Sequence, residues 1–119
     1  MTNLIFFSGL ACILIHEMDA IQQKEWRIFP GLHLLDDRVG LRVFNLLHLP
    51  LYLWILSGLF GAGGINPGFR QGLDIFFLIH VGLHLLFLLH PKNQFTGFFS
   101  WLWIGGAGLC GGLDLWFWV

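Results

Sequence analysis

Between Leu4 and Trp26 the chain reads LIFFSGLACILIHEMDAIQQKEW, an apolar run long enough to enter a bilayer that meets His16, Glu17 and Asp19 before any loop signal. A carboxylate or imidazole in hydrocarbon costs several kcal/mol unless it finds a partner, so such groups face the interior of a helix bundle and mark a candidate functional site. The remaining chain must then supply further spans and those partners. Composition agrees: 56% of the 119 residues are hydrophobic and 11% are charged, against about 25% charged in soluble domains. Six basic and seven acidic side chains are too few to cover an oily core of this size. The expected fold class is therefore all-α, an integral membrane bundle of four transmembrane helices in one domain.

Several function classes drop out early. A net charge of -1 offers no basic face to neutralise phosphates, which excludes nucleic acid as a partner. Nucleophilic triads, phosphate-cradling loops and zinc-finger spacings are absent. Cys12 and Cys110 lie inside apolar spans and behave as small hydrophobes rather than a disulfide pair. No basic residue precedes Leu4 and acids follow the run directly, so the first span reads as retained rather than as a signal peptide.

Taken in order, the spans are expected at about 3–21, 39–60, 67–90 and 95–119. Lys24, Trp26 and Arg27 mark an interface after the first, and Pro30-Gly31 breaks the helix. Asp36 or Asp37 is the candidate N-cap of the second span, in which Pro50 should kink the backbone close to His48. The loop GAGGINPG places Asn66 as cap and Pro67 at the first helical position of the third span, which ends at His90 before Pro91. Asn93 is the candidate cap of the fourth. There Gly105, Gly106, Gly108, Gly111 and Gly112 form a small-residue stripe for close helix approach, within the bundle or from a partner transmembrane helix. Lys24, Arg27, Arg38, Arg42 and Lys92 fall in or beside the first and third loops and only Arg70 beside the second, so loops 22–38 and 91–94 are expected to face the cytoplasm, with both termini outside.

With that orientation, a rise of about 1.5 Å per residue places His16, His48 and His84 roughly 7 to 10 Å below the cytoplasmic surface on three different helices. His80 lies one turn from His84 on the same face. The candidate metal ligands are thus His16, Glu17, His48, His80 and His84, a nitrogen and carboxylate mixture suited to iron, zinc or manganese. Glu17 or Asp19 would act as general base if the site turns over an apolar substrate. Two alternatives stay open. His48 and His84 can ligate haem or a chlorophyll-type pigment within a larger respiratory or photosynthetic complex. Alternatively the imidazoles only pin helices in a structural or assembly subunit, His16 with Asp19 or His84 with Glu17. Asp74 and Asp114 are expected near the outer surface, Arg70 and Asp74 forming an i,i+4 pair that snorkels to the headgroups. His33, His90 and Glu25 read as solvated. Trp101 and Trp103 read as an inner aromatic belt, Trp116 and Trp118 as an outer one.

The runs HEMDAIQQKEWRIFP, DDRVGLRVFNLLHLPLY, NPGFRQGLDIFFLIHVGLH and HPKNQF, spanning nearly the whole chain, resemble a small family of bacterial multi-pass membrane proteins classed as a domain of unknown function. More loosely, the His-then-acidic feature is similar to the HXXEE membrane proteins, although here His16 is followed by Glu17 and Asp19 with no adjacent Glu pair. The resemblance implies a four-helix membrane fold and carries no mechanism.

Overall fold

The computed structural model describes residues 2–118, and among them there are four long helices and no strand. They are α1 (Thr2–Gln22), α2 (Asp37–Leu59), α3 (Pro67–Phe87) and α4 (Phe98–Trp118), with two short 3-10 turns, Glu25–Arg27 and Leu32–Leu34, between α1 and α2. Helices of 21 to 23 residues extend about 32 to 35 Å, which matches a hydrocarbon thickness of about 30 Å. α1, α2 and α3 are each long and apolar enough to cross a membrane. α4 is just as long, 21 residues, and carries Asp114 and five glycines along an otherwise apolar helix.

The caps fall where short polar side chains precede the apolar runs. Asp36 accepts from the Val39 amide at 3.0 Å, and Asn66 accepts from the Phe69 amide at 2.9 Å with Pro67 opening α3. α2 continues through Pro50 as uninterrupted helix. α3 stops at Phe87 rather than His90: Leu89 and His90 donate to the Leu86 and Phe87 carbonyls in tighter 3-10 turns, ahead of Pro91, which disfavours helical backbone at His90. Asn93 caps a turn at Phe95 rather than a helix, and α4 begins three residues later at Phe98.

α1 and α3 both pack along α4, whereas α2 stands to the side and leans on the two 3-10 turns. Glycine explains the closeness of α4. A Cβ on Gly106 would lie 3.1 Å from Cys12 Sγ of α1, one on Gly108 2.4 Å from Val81 Cγ2, and one on Gly111 2.8 Å from the Asp74 carbonyl of α3. Two apolar clusters result. Phe6, Leu10, Ile13, Leu73, Phe77 and Ala107 fill one half, and Ala20, Trp26, Phe44, Phe95 and Ile104 the other. Between them sits a layer of histidine. Large apolar side chains such as Leu46, Leu89 and Trp116 cover much of the outer face.

Candidate metal centre

Three imidazoles meet inside the bundle. His16 comes from α1, and His80 and His84, one turn apart, come from α3; their ring centroids are 4.5 Å (His16–His80), 4.9 Å (His16–His84) and 4.5 Å (His80–His84) apart. Phe95, on the segment leading into α4, stacks against two of them, 5.5 Å from His16 and 4.7 Å from His84. His16 and His84 are almost wholly enclosed, at 0% and 1% exposure.

The carboxylate that completes the group is Glu25, which sequence reasoning left in solvent. Its burial corrects that reading. α1 ends at Gln22, and Lys24 then takes a left-handed backbone, φ 53° and ψ 54°. That conformation costs a residue with a Cβ roughly 1–2 kcal/mol and is usually left to glycine. It reverses the chain so that the 3-10 turn carries Glu25 back under the helices. Asp37 locks the turn: it accepts from Trp26 Nε1 at 3.1 Å and from Arg27 Nε at 2.9 Å, and it pairs with Arg27 Nη2 and Lys24 Nζ. Strain held in place by a surrounding network is the pattern of functional positions.

Glu25 Oε1 lies 3.3 Å from His84 Nε2 and Oε2 lies 3.7 Å from His16 Nε2. Neither approach is aligned as a hydrogen bond, for both nitrogens of His16 and of His84, and Nδ1 of His80, are buried without a partner. Buried polar atoms are almost always satisfied, and each one left unmade costs about 1–3 kcal/mol. One donor atom each from His16, Glu25, His80 and His84 lies within 4.8 Å of all the others, so the group can hold a metal ion. Burial first, and then the charge of Glu17, pushes the Glu25 carboxyl up to about 8.

The other sequence-predicted residues lie elsewhere. Glu17 and His48 meet each other: His48 Nδ1 donates to the Phe44 carbonyl at 2.6 Å and its Nε2 is 2.5 Å from Glu17 Oε2. Both nitrogens of His48 are therefore occupied, and neither residue joins the four-donor group. Matching depth gave only one coordinate; α2 sits to the side, so its histidine reaches the flank of α1 rather than the interior. Asp19 accepts from Gln23 Nε2 at 3.2 Å on its own helix. His33 is exposed and His90 partly so. Trp103 is half-buried with its indole N–H unpartnered, while the Trp101 N–H donates to the Phe95 carbonyl at 2.7 Å.

Arg70 also departs from expectation. It is 3% exposed rather than snorkelling, and it pairs with Asp114 of α4 through Nε at 2.7 Å and Nη2 at 2.6 Å, and with Asn3 of α1 through Nη1 at 2.8 Å. The rings of Phe6 and Trp118 cover its guanidinium at 5.0 Å and 4.4 Å. A fork-shaped guanidinium satisfies a buried carboxylate on another helix better than a neighbour on its own.

No curated protein and no solved structure matches the chain. Residues 2–119 match the model of a family of unknown function, DUF6713, and the chain belongs to that family.

Proposed function

We propose that this is a multi-pass membrane protein that holds a divalent metal ion through His16, Glu25, His80 and His84. The observation that carries the reading is the convergence of these four donors from two helices and a reversed turn, with five imidazole nitrogens left unsatisfied beside one carboxylate. An ion takes one lone pair from each ring and offsets the expense of burying them. A tetrahedral ion with bonds of about 2.1 Å sets its donors about 3.4 Å apart, so the group would draw in by about 1 Å on loading. Imidazole with carboxylate and no thiolate suits zinc, iron or manganese. Ring centroids 4.5 to 4.9 Å apart leave no room for a macrocycle between the histidines, which favours an ion over haem or pigment.

The apolar outer face and three helices of spanning length support a bilayer location. By the positive-inside rule the basic loops favour a centre near the cytoplasmic side with both termini outside. Elemental analysis of detergent-purified full-length protein tests the reading. The expected result is near-stoichiometric zinc, iron or manganese, lost in both Glu25→Gln and His84→Leu. Protein that purifies without metal and takes up none of the three when each is added overturns it.

A further inference from the structure

Glu17 and His48 are not spent on the four-donor group, and they line a cavity of about 310 Å³ between α1 and α2 together with Ile21, Asn45, Leu49 and Tyr52. We infer that this cavity binds a single-chain amphiphile with a hydroxyl head, held by the Glu17–His48 pair.

Size, shape and charge each narrow the occupant. Ligand pockets run from about 300 to 1,000 Å³; this one is at the small end, enough for a head and the upper part of one chain and too small for a two-chain lipid. Along α2 its lining residues Asn45, His48, Leu49 and Tyr52 form one stripe, which at 1.5 Å per residue is about 10 Å long and runs parallel to the helix axis. A chain lying beside α2 follows that line. The head is set by the polar end. Glu17 and His48 already bond to each other at 2.5 Å, so that carboxylate oxygen and that ring nitrogen are spent within the pair rather than held open for an ammonium or phosphate. The polar side chains that line the cavity, Glu17, Asn45, His48 and Tyr52, are acceptors and donors together. A hydroxyl both donates and accepts, and matches them. The Phe44 carbonyl fixes the His48 ring, which makes the polar end a built feature rather than a mobile one. Glu17 follows His16 on α1, which brings the head beside the proposed metal, but the binding inference does not depend on that metal.

The test is photolabelling of the full-length protein in lipid nanodiscs with a diazirine-bearing long-chain primary alcohol, and with a probe of equal chain length bearing a trimethylammonium head. Adducts from the alcohol are expected on Ile21, Leu49 and Tyr52 and are competed by unlabelled alcohol. Leu49→Trp, at an exposed position, fills the cavity without disturbing the core and should lower that labelling about tenfold. His48→Phe, which removes the polar anchor, should do so to a similar extent by leaving Glu17 and the head short of a hydrogen bond. The same labelling should persist in His84→Leu, so loss of the metal reading leaves this one standing. Adducts spread over the outer face, labelling unchanged in Leu49→Trp, or equal labelling of the cavity by the trimethylammonium probe would each overturn it.

Discussion

Arg70 and its partners lie where α3 begins, and the His16–Glu25–His80–His84 group lies where α3 ends. Both are buried, yet they handle polarity in opposite ways. The first group is largely matched: one guanidinium meets Asp114 by two hydrogen bonds and Asn3 by a third, under two aromatic rings, and one oxygen of the neighbouring Asp74 is left over. The second is unmatched: three imidazoles crowd one carboxyl, and five of their nitrogens have no hydrogen-bond partner. A bundle needs polar glue, and glue is satisfied by definition. Unsatisfied groups gathered in one place are what the proposed ion would satisfy. That contrast, rather than residue type or depth, supports reading the first cluster as structural and the second as the proposed binding site.

The largest effect expected from that contrast is at the matched end. Asp114→Ala leaves the Arg70 charge buried and short of its main partner, and should destabilise the fold by about 3–5 kcal/mol. The double variant Arg70→Met with Asp114→Leu should recover most of that loss. Unfolding midpoints in detergent measure both. A single variant as stable as the parent would show that the Arg70 cluster is not what ties α3 to α4.

Next in size is the pH dependence of metal binding. An ion needs the Glu25 carboxylate, whose proton is held up to about 8, so metal must displace that proton at any lower pH. Affinity is expected to rise with pH by up to tenfold per unit, about a hundredfold from pH 6 to pH 8, and to level off above that. In the metal-free protein the sign runs the other way. The folded state holds a proton that the unfolded carboxyl releases above its ordinary 4.5, so stability falls as pH rises from there towards 8 and Glu25→Gln flattens the curve. Titration of zinc uptake at several pH values, and melts without metal over the same range, check the two slopes.

How much of this was readable in advance follows from what sequence encodes. Helix rise gave His16, His48 and His84 a common level and put His80 on the face of His84; the structure brings His16, His80 and His84 together and leaves His48 out. Position around the bundle axis is set by packing, which Gly106, Gly108 and Gly111 decide by pulling α1 and α3 onto α4. That left α2, and His48 with it, on the flank. Glu25 was missed because it lies beyond the end of α1, and its return depends on a left-handed Lys24, a position where only a glycine would have given warning. The available signal was arithmetic: a ring of imidazoles calls for an acid, and the first loop offers only Glu25, Asp36 and Asp37. Arg70 was misassigned because the i,i+4 rule treats Asp74 as the nearest partner, whereas Asp114, far along the sequence, faces it across the α3–α4 contact.

Gly111→Ala comes third. The new methyl would sit 2.8 Å from the Asp74 carbonyl, and backbone cannot yield as a side chain can. A loss of about 1–3 kcal/mol is expected from the α3–α4 separation it forces. Gly105, which has nothing within 4 Å, is the control on the same helix, and its alanine variant should melt like the parent. Equal losses at both would mean that the stripe is sensitive for reasons other than α3.

The smallest expected change is the most telling, because it concerns a fully buried residue. Removing a side chain this enclosed ordinarily costs several kcal/mol, but His84 is buried with both nitrogens unpaired, so a volume-conserving His84→Leu removes an unmet polar demand along with the contacts. The two contributions oppose each other. Without metal, the variant should melt within about 1 kcal/mol of the parent and can exceed it. With metal, the parent gains stability as the ion concentration passes its dissociation constant and the variant does not. Melting both proteins with and without added zinc reads the two states side by side. A large loss in the absence of metal would move the histidines into the same category as Arg70, as partners the fold relies on rather than donors held ready for an ion.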